Sequence, residues 1–232
     1  MMDHSSPDGE DRITIKRYTA FQRLNHWITA ILFILLAMSG LVMGYPSLNF
    51  FSGPFGGEEA ARALHPWLGL GLVVSFFLLA LPFIRVNMPN MDDVRWLRGF
   101  PDLIMHNHEN LPELGKYNAG QKGVYWSQFV LILVLFASGL TIWQQYFGGS
   151  TSIGTQRLAV LVHSLGALLA ITIIIIHVYA GFWVKGTLRA MTRGTVTGGW
   201  AYMHHRKWLR ETLAREAAAK GNVGAQKTTE PR

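Results

Sequence analysis

Four of the nine histidines of this 232-residue chain, His26, His65, His163 and His177, fall within or at the rim of stretches apolar enough to lie in a membrane. An ionisable side chain in hydrocarbon is costly and needs a partner or a ligand. His26 stands at the start of the first apolar stretch and His177 towards the end of the last, while His65 opens the second and His163 lies just inside the start of the fourth. If successive stretches cross the membrane in alternating directions, the four sort by depth into two pairs, His26 with His177 and His65 with His163. Positions 163 and 177 are 14 residues apart. At about 100° per residue that is about 40° short of four turns, so the two imidazoles share one helix face about 21 Å apart along the axis.

Two imidazoles facing each other at one depth are the axial ligand set of a low-spin haem b. Such an iron has no open position for substrate and suits electron transfer. Two stacked pairs predict two haems b, with His26, His65, His163 and His177 as the iron ligands. Zinc or a di-iron carboxylate centre fits less well, because the apolar stretches contain no carboxylate and a closed zinc site wants four ligands at one depth. A proton relay would also employ histidines, but such chains usually enlist Asp or Glu. A passive membrane anchor or a transporter with structural histidines is the reading from a different functional class.

The elements that must hold these residues are legible as blocks without Asp, Glu, Lys or Arg: 27–45, 67–84, 124–146 and 158–184. Half of the chain is hydrophobic and only 15% is charged, a balance that suits a membrane protein. Each block is long enough to cross hydrocarbon. The expected fold is all-α, an integral membrane four-helix bundle forming one domain over 1–232, with polar termini at 1–11 and 211–232. The first block begins deep in the chain and is followed by no Ala-x-Ala pattern, so it reads as a retained span rather than a secretory signal. Pro66, directly after His65, is expected in the first turn of the second helix. The chain has no cysteine, which excludes disulfides, thiolate-held iron–sulfur clusters and covalent c-type haem.

The net charge of +7 is distributed by membrane side rather than gathered into a nucleic-acid footprint. Four Lys or Arg precede residue 27, five lie within 85–123 and ten follow Val184, whereas the alternate loops hold only Arg62 and Arg157. By the positive-inside rule both termini and the middle loop are cytoplasmic. Trp27, Tyr45, Trp67, Trp126, Trp143, Tyr146 and Trp183 fall where interfacial belts belong. The alternating segment 13–25 reads as an approach along the membrane surface. A short amphipathic helix is expected around 92–105, and an Ala/Glu/Lys/Arg helix near the C-terminus. His4, His106, His108, His204 and His205 are expected at solvated or interfacial surface.

Several runs resemble the gamma, or cytochrome b556, subunits of membrane-bound respiratory formate dehydrogenases: Phe21-Gln-Arg-Leu-Asn-His26-Trp27, His65-Pro66-Trp67-Leu-Gly69, the His163 and His177 pair, Phe182-Trp-Val-Lys-Gly186 and Lys116-Tyr-Asn-Ala-Gly-Gln-Lys122. The histidines alone are similarly placed in the cytochrome b subunits of nickel–iron hydrogenases and thiosulfate reductases, and the Lys116–Lys122 run favours formate dehydrogenase. The resemblance implies a quinone site at Asn118, Gly120 and Gln121, near the cytoplasmic haem, with menaquinone or ubiquinone as the electron acceptor. It further implies a molybdenum or tungsten catalytic subunit that oxidises formate and an iron–sulfur subunit that relays the electrons. This chain would then be the quinone-reducing, multi-pass part of the complex in the bacterial cytoplasmic (inner) membrane, embedded in lipid and not bound to nucleic acid.

Overall fold

The computed structural model describes residues 13–99, 102, 112–147 and 149–228. They divide into two compact units, one of the segments up to Tyr18, Pro89–Ala119 and from Lys185 onward, the other of Thr19–Met88 and Gly120–Val184. The expected surface positions of His106 and His108 lie outside the described residues, as does that of His4.

The second unit contains four helices long and apolar enough to cross a membrane: α1 (Ala20–Gly44), α2 (Glu58–Ala80), α3 (Ala119–Ile142) and α4 (Ile153–Trp183). All four apolar blocks are therefore helical, as expected for a membrane bundle. Their starts lie earlier than the apolar runs indicate, because the helices continue as polar turns beyond the stretch that hydrocarbon demands. Thr19 begins α1 with a capping box, its hydroxyl accepting from Gln22 N while the Gln22 side chain accepts from Thr19 N. His26 consequently lies inside the helix rather than at its mouth. Likewise α2 opens after Gly57 with Glu58 and Glu59 in its first turn, where carboxylates suit the positive helix end. That start moves Pro66 from the expected first turn into the helix interior. The segment Pro46–Phe55, between α1 and α2, is 3-10 helical with a non-helical kink at Leu48.

The bundle is apolar outside and holds a set of small and polar residues inside. Its buried positions include Asn25, Ser39, Ser75, Gln128 and Ser138, whereas Ile31, Ile34, Val74, Leu168 and Ile175 are exposed. Lipid solvates such apolar surface, so small and polar residues are left to bring the helices together. Asn25 Nδ2 donates to Ser75 O, Ser75 Oγ donates to Asn25 Oδ1, and Thr29 Oγ1 lies 2.7 Å from Ser75 Oγ, which joins α1 to α2. Gln128 Nε2 donates to Ala170 O and joins α3 to α4. An apolar cluster of Leu72, Phe76, Ala80 and Ile132 fills one end of the bundle. Trp67, Trp143 and Tyr146 meet edge to face at the other, with Trp67 and Trp143 ring centres 5.2 Å apart.

The first unit adds one small strand pair to an otherwise helical chain. Thr14–Lys16 (β1) pairs antiparallel with Thr195–Thr197 (β2), and Ile15 faces Val196 on the buried side. Both runs are rich in β-branched residues, which favour strands. Three-residue strands exist only by pairing, and this partner is far along the chain, so the segment read as a surface approach is a strand up to Lys16. Short helices Met91–Arg98, Thr187–Thr192 and Gly198–His204 and the long helix Arg206–Thr228 complete the unit. Its core gathers Ile15, Ala190, Val196, Trp200, Ala201 and Trp208.

Arg17 lies at the centre of this unit, only 5% exposed. Its guanidinium donates to Lys116 O, reaches His205 Nε2 at 3.4 Å, and lies 4.8 and 5.0 Å from the ring centres of Trp208 and Trp200. The Tyr18 and Tyr117 rings stand 5.7 Å away. Carbonyl, imidazole and π faces replace part of the water that this cation has lost, while Nη1 is buried with no hydrogen-bond partner among the described residues. His205 is thus a core residue, 2% exposed, and not the surface side chain expected from its basic neighbours. Its Nδ1–H donates to Gly115 O at 2.7 Å, which leaves Nε2 to accept from Arg17. Lys207 and Arg210 pair with Asp92 and Glu113 at the surface, where each pair contributes little.

Two predictions follow from this unit's core. Burial, and then the Arg17 charge, lower the His205 pKa to about 3. Below about pH 6.5 the unfolded chain therefore binds a proton there that the folded one does not, and stability falls with pH by about 1.4 kcal/mol per unit. His205→Gln keeps a donor for Gly115 O and should flatten the loss of thermal stability between pH 7.5 and 5.5. Gly186 has φ +92°, and a Cβ there would meet Trp200 Cδ1 at 3.0 Å. Gly186→Ala should lower stability by about 1–3 kcal/mol, read as a fall in the melting temperature.

Candidate functional site

The four membrane histidines meet in the two pairs that their spacing predicts. His26 of α1 and His177 of α4 have ring centres 6.4 Å apart, and His65 of α2 and His163 of α4 have theirs 6.2 Å apart. Metal–imidazole bonds are about 2 Å long, so two of them in line, extended to the ring centres, place the rings about 6 Å apart. Each pair is therefore spaced to bracket one metal. Among the described residues no group of three or more His, Cys, Asp or Glu is placed to hold a bare ion. A metal bound here needs its equatorial ligands from elsewhere, and a porphyrin supplies four nitrogens in that plane.

The surroundings of the His65–His163 pair are built to one pattern on two helices. Ser39 Oγ of α1 lies 2.7 Å from His65 Nδ1, and Ser138 Oγ of α3 lies 3.0 Å from His163 Nδ1. The residue after each serine is a glycine. A Cβ on Gly40 would come within 3.4 Å of His65 Cε1, and one on Gly139 within 3.3 Å of His163 Cε1. Both rings thus stand flush against the neighbouring helix, which leaves their far sides towards each other. Neither serine is among the residues that the sequence singled out. The signal was the tripeptide Ser-Gly-Leu, present at Ser39–Leu41 and again at Ser138–Leu140. The other pair is furnished differently, since His26 Nδ1 is buried with no hydrogen-bond partner among the described residues.

The Lys116–Lys122 run forms the approach to α3. Asn118 immediately precedes the helix and is half-buried; Gly120, exposed, and Gln121, half-buried, lie in its first turn. Burial, followed by the charges of Arg17 and Arg215, lowers the Lys116 pKa to about 8. Lys122 has a structural task that its place among basic anchors concealed. It is buried, and its Nζ donates to Met88 O at 3.1 Å. Trp126, one turn on, donates from Nε1 to Asn87 O at 2.9 Å, so one face of α3 is pinned where the helix begins.

The chain is similar to known proteins. Residues 17–194 match the family model described as prokaryotic cytochrome b561. The cytochrome b556(fdo) subunit of formate dehydrogenase from Escherichia coli K12 is 42% identical over 200 residues, covering 86% of this chain and 94% of that subunit. The nitrate-inducible cytochrome b556(Fdn) subunit of the same organism is 34% identical, covering 90% of this chain and 97% of that one. A formate dehydrogenase cytochrome b556 subunit from Haemophilus influenzae is 35% identical, covering 86% and 84%. With four apolar helices and a matched span from Arg17 to Gly194, the chain belongs to the prokaryotic cytochrome b561 family of membrane cytochromes b, together with the cytochrome b556 subunits of formate dehydrogenases.

Proposed function

We propose that this chain is the di-haem b membrane subunit of a formate dehydrogenase, which passes electrons from an iron–sulfur subunit across the bacterial inner membrane to quinone. The observation that carries the reading is the pair of ring-centre distances, 6.2 and 6.4 Å, at two levels of one bundle. When bound, haem b supplies a one-electron couple at each level. The protein's part is to fix the imidazoles. His163 and His177 share one helix, so the two levels hold a constant separation, while α2 and α1 each close one level with His65 and His26. The apolar outer surface of α4 keeps both levels from water.

Quinone reduction takes two electrons and two protons, so its site belongs where donors meet water. Asn118 and Gln121 supply amide N–H groups at the start of α3, and Gly120 leaves room beside them. The excess of Lys and Arg on the segments flanking this end supports a cytoplasmic position for it. Electrons that enter at the His65–His163 level, on the opposite side, would then cross the membrane, and uptake of protons from the cytoplasm makes the crossing electrogenic. The partners of this reading are a molybdenum or tungsten subunit that oxidises formate and the iron–sulfur subunit between it and this chain.

Two experiments test the reading. His163→Ala should halve the reducible b-type absorbance of the purified protein, and retention of the full absorbance would refute the pairing. Gln121→Ala should raise the quinone KM about tenfold, the loss expected for one hydrogen bond, while dithionite still reduces the full haem complement. An unchanged KM would exclude Gln121 from the quinone site.

A further inference from the structure

The serines beside His65 and His163 are committed as donors elsewhere. Ser39 Oγ donates to Leu35 O at 2.9 Å, and Ser138 Oγ donates to Val134 O at 2.7 Å, each within its own helix. A hydroxyl carries one proton. With that proton on the carbonyl, the serine oxygen is left to accept, and the hydrogen bond to each imidazole must run from Nδ1–H to Oγ. Both histidines are thereby held in the tautomer whose Nε2 lone pair is free for a metal. The opposite arrangement would turn two Nε2–H groups towards each other and leave no ligand. Ser39 is fully buried and Ser138 nearly so, which shields both contacts from competing water.

Hydrogen bonding at Nδ1 also makes an imidazole a stronger donor to its metal. A stronger donor favours the ferric state and lowers the reduction potential. The two levels differ in this respect, because both ligands of the His65–His163 pair have the serine contact whereas His26 Nδ1 has no partner among the described residues. We propose that Ser39 and Ser138 are paired positioning residues that hold the potential of the His65–His163 haem below that of the His26–His177 haem. One electron leaving the first site and entering the second then moves downhill: the donor is oxidised by one unit and the acceptor reduced by one, with no proton needed at either. The inference rests on the di-haem reading and adds a direction to it. It assigns the Ser-Gly-Leu repeat a purpose, the serine orienting and polarising the ring and the glycine letting it approach.

The test is a potentiometric titration of the purified complex followed by the b-type absorbance, with the wave missing in His163→Ala taken as the His65–His163 site. Ser39→Ala and Ser138→Ala should each raise that site's reduced-to-oxidised ratio at fixed potential about tenfold, which for one electron is about 59 mV, and leave the other wave in place. Ser39→Thr and Ser138→Thr retain the oxygen and should keep the wild-type ratio, whereas Val, which has the shape of Thr without the oxygen, should shift it as Ala does. An unmoved or lowered potential in the Ala and Val variants overturns the proposal, as does an equal shift of both waves. If the Ala and Val variants lose haem while the Thr variants keep both waves at wild-type potentials, the serines act in assembly and the proposal also falls. Absence of any b-type absorbance in the unmutated protein would instead refute the di-haem reading itself.

Discussion

The organisation of the bundle depends on the cost of placing a polar side chain where no water can reach it. An ionisable or hydrogen-bonding group between the membrane faces is costly unless it finds a partner within the protein. Asn25, Thr29 and Ser75 satisfy one another, and Gln128 is anchored on Ala170 O. The four histidines are among these groups, and each faces another across the bundle. The small residues of the interior then follow, since only serine or glycine lets a neighbouring helix lie flush against an imidazole. Many of the large aliphatic residues are left to face lipid.

The two units obey different rules. In the membrane bundle, apolar burial cannot draw the helices together, because lipid is as apolar as leucine. In the unit of β1, β2 and the terminal helices, burial of Ile15, Val196, Trp200 and Trp208 is the organising force, and even a guanidinium is drawn in among the aromatic rings. The same residue type is accordingly treated in two ways. Membrane histidines meet in pairs, while His205 is held between a carbonyl and an arginine.

This contrast also explains what the sequence disclosed. Runs without charge are a direct consequence of hydrocarbon, so the four spans were visible in outline, and the 14-residue interval on α4 carried the pairing with it. The ends of the helices were less visible, because the polar turns around Glu58 and Thr19 extend past the part that the membrane selects. Pro66 was misplaced for that reason. The β1–β2 pair and the core position of His205 depend on contacts between segments far apart in the chain, for which three residues of alternation or one basic neighbourhood hold no local trace. Ser39 and Ser138 could have been found, but only by noticing one tripeptide twice.

The placement of both His163 and His177 on α4 has a consequence for how the subunit matures. This helix is the last of the four to leave the ribosome, and each level of the bundle is incomplete until it arrives. A chain with α1 to α3 in place holds His26 and His65 as half-sites facing no partner. Docking of this one helix therefore completes both pairs at once.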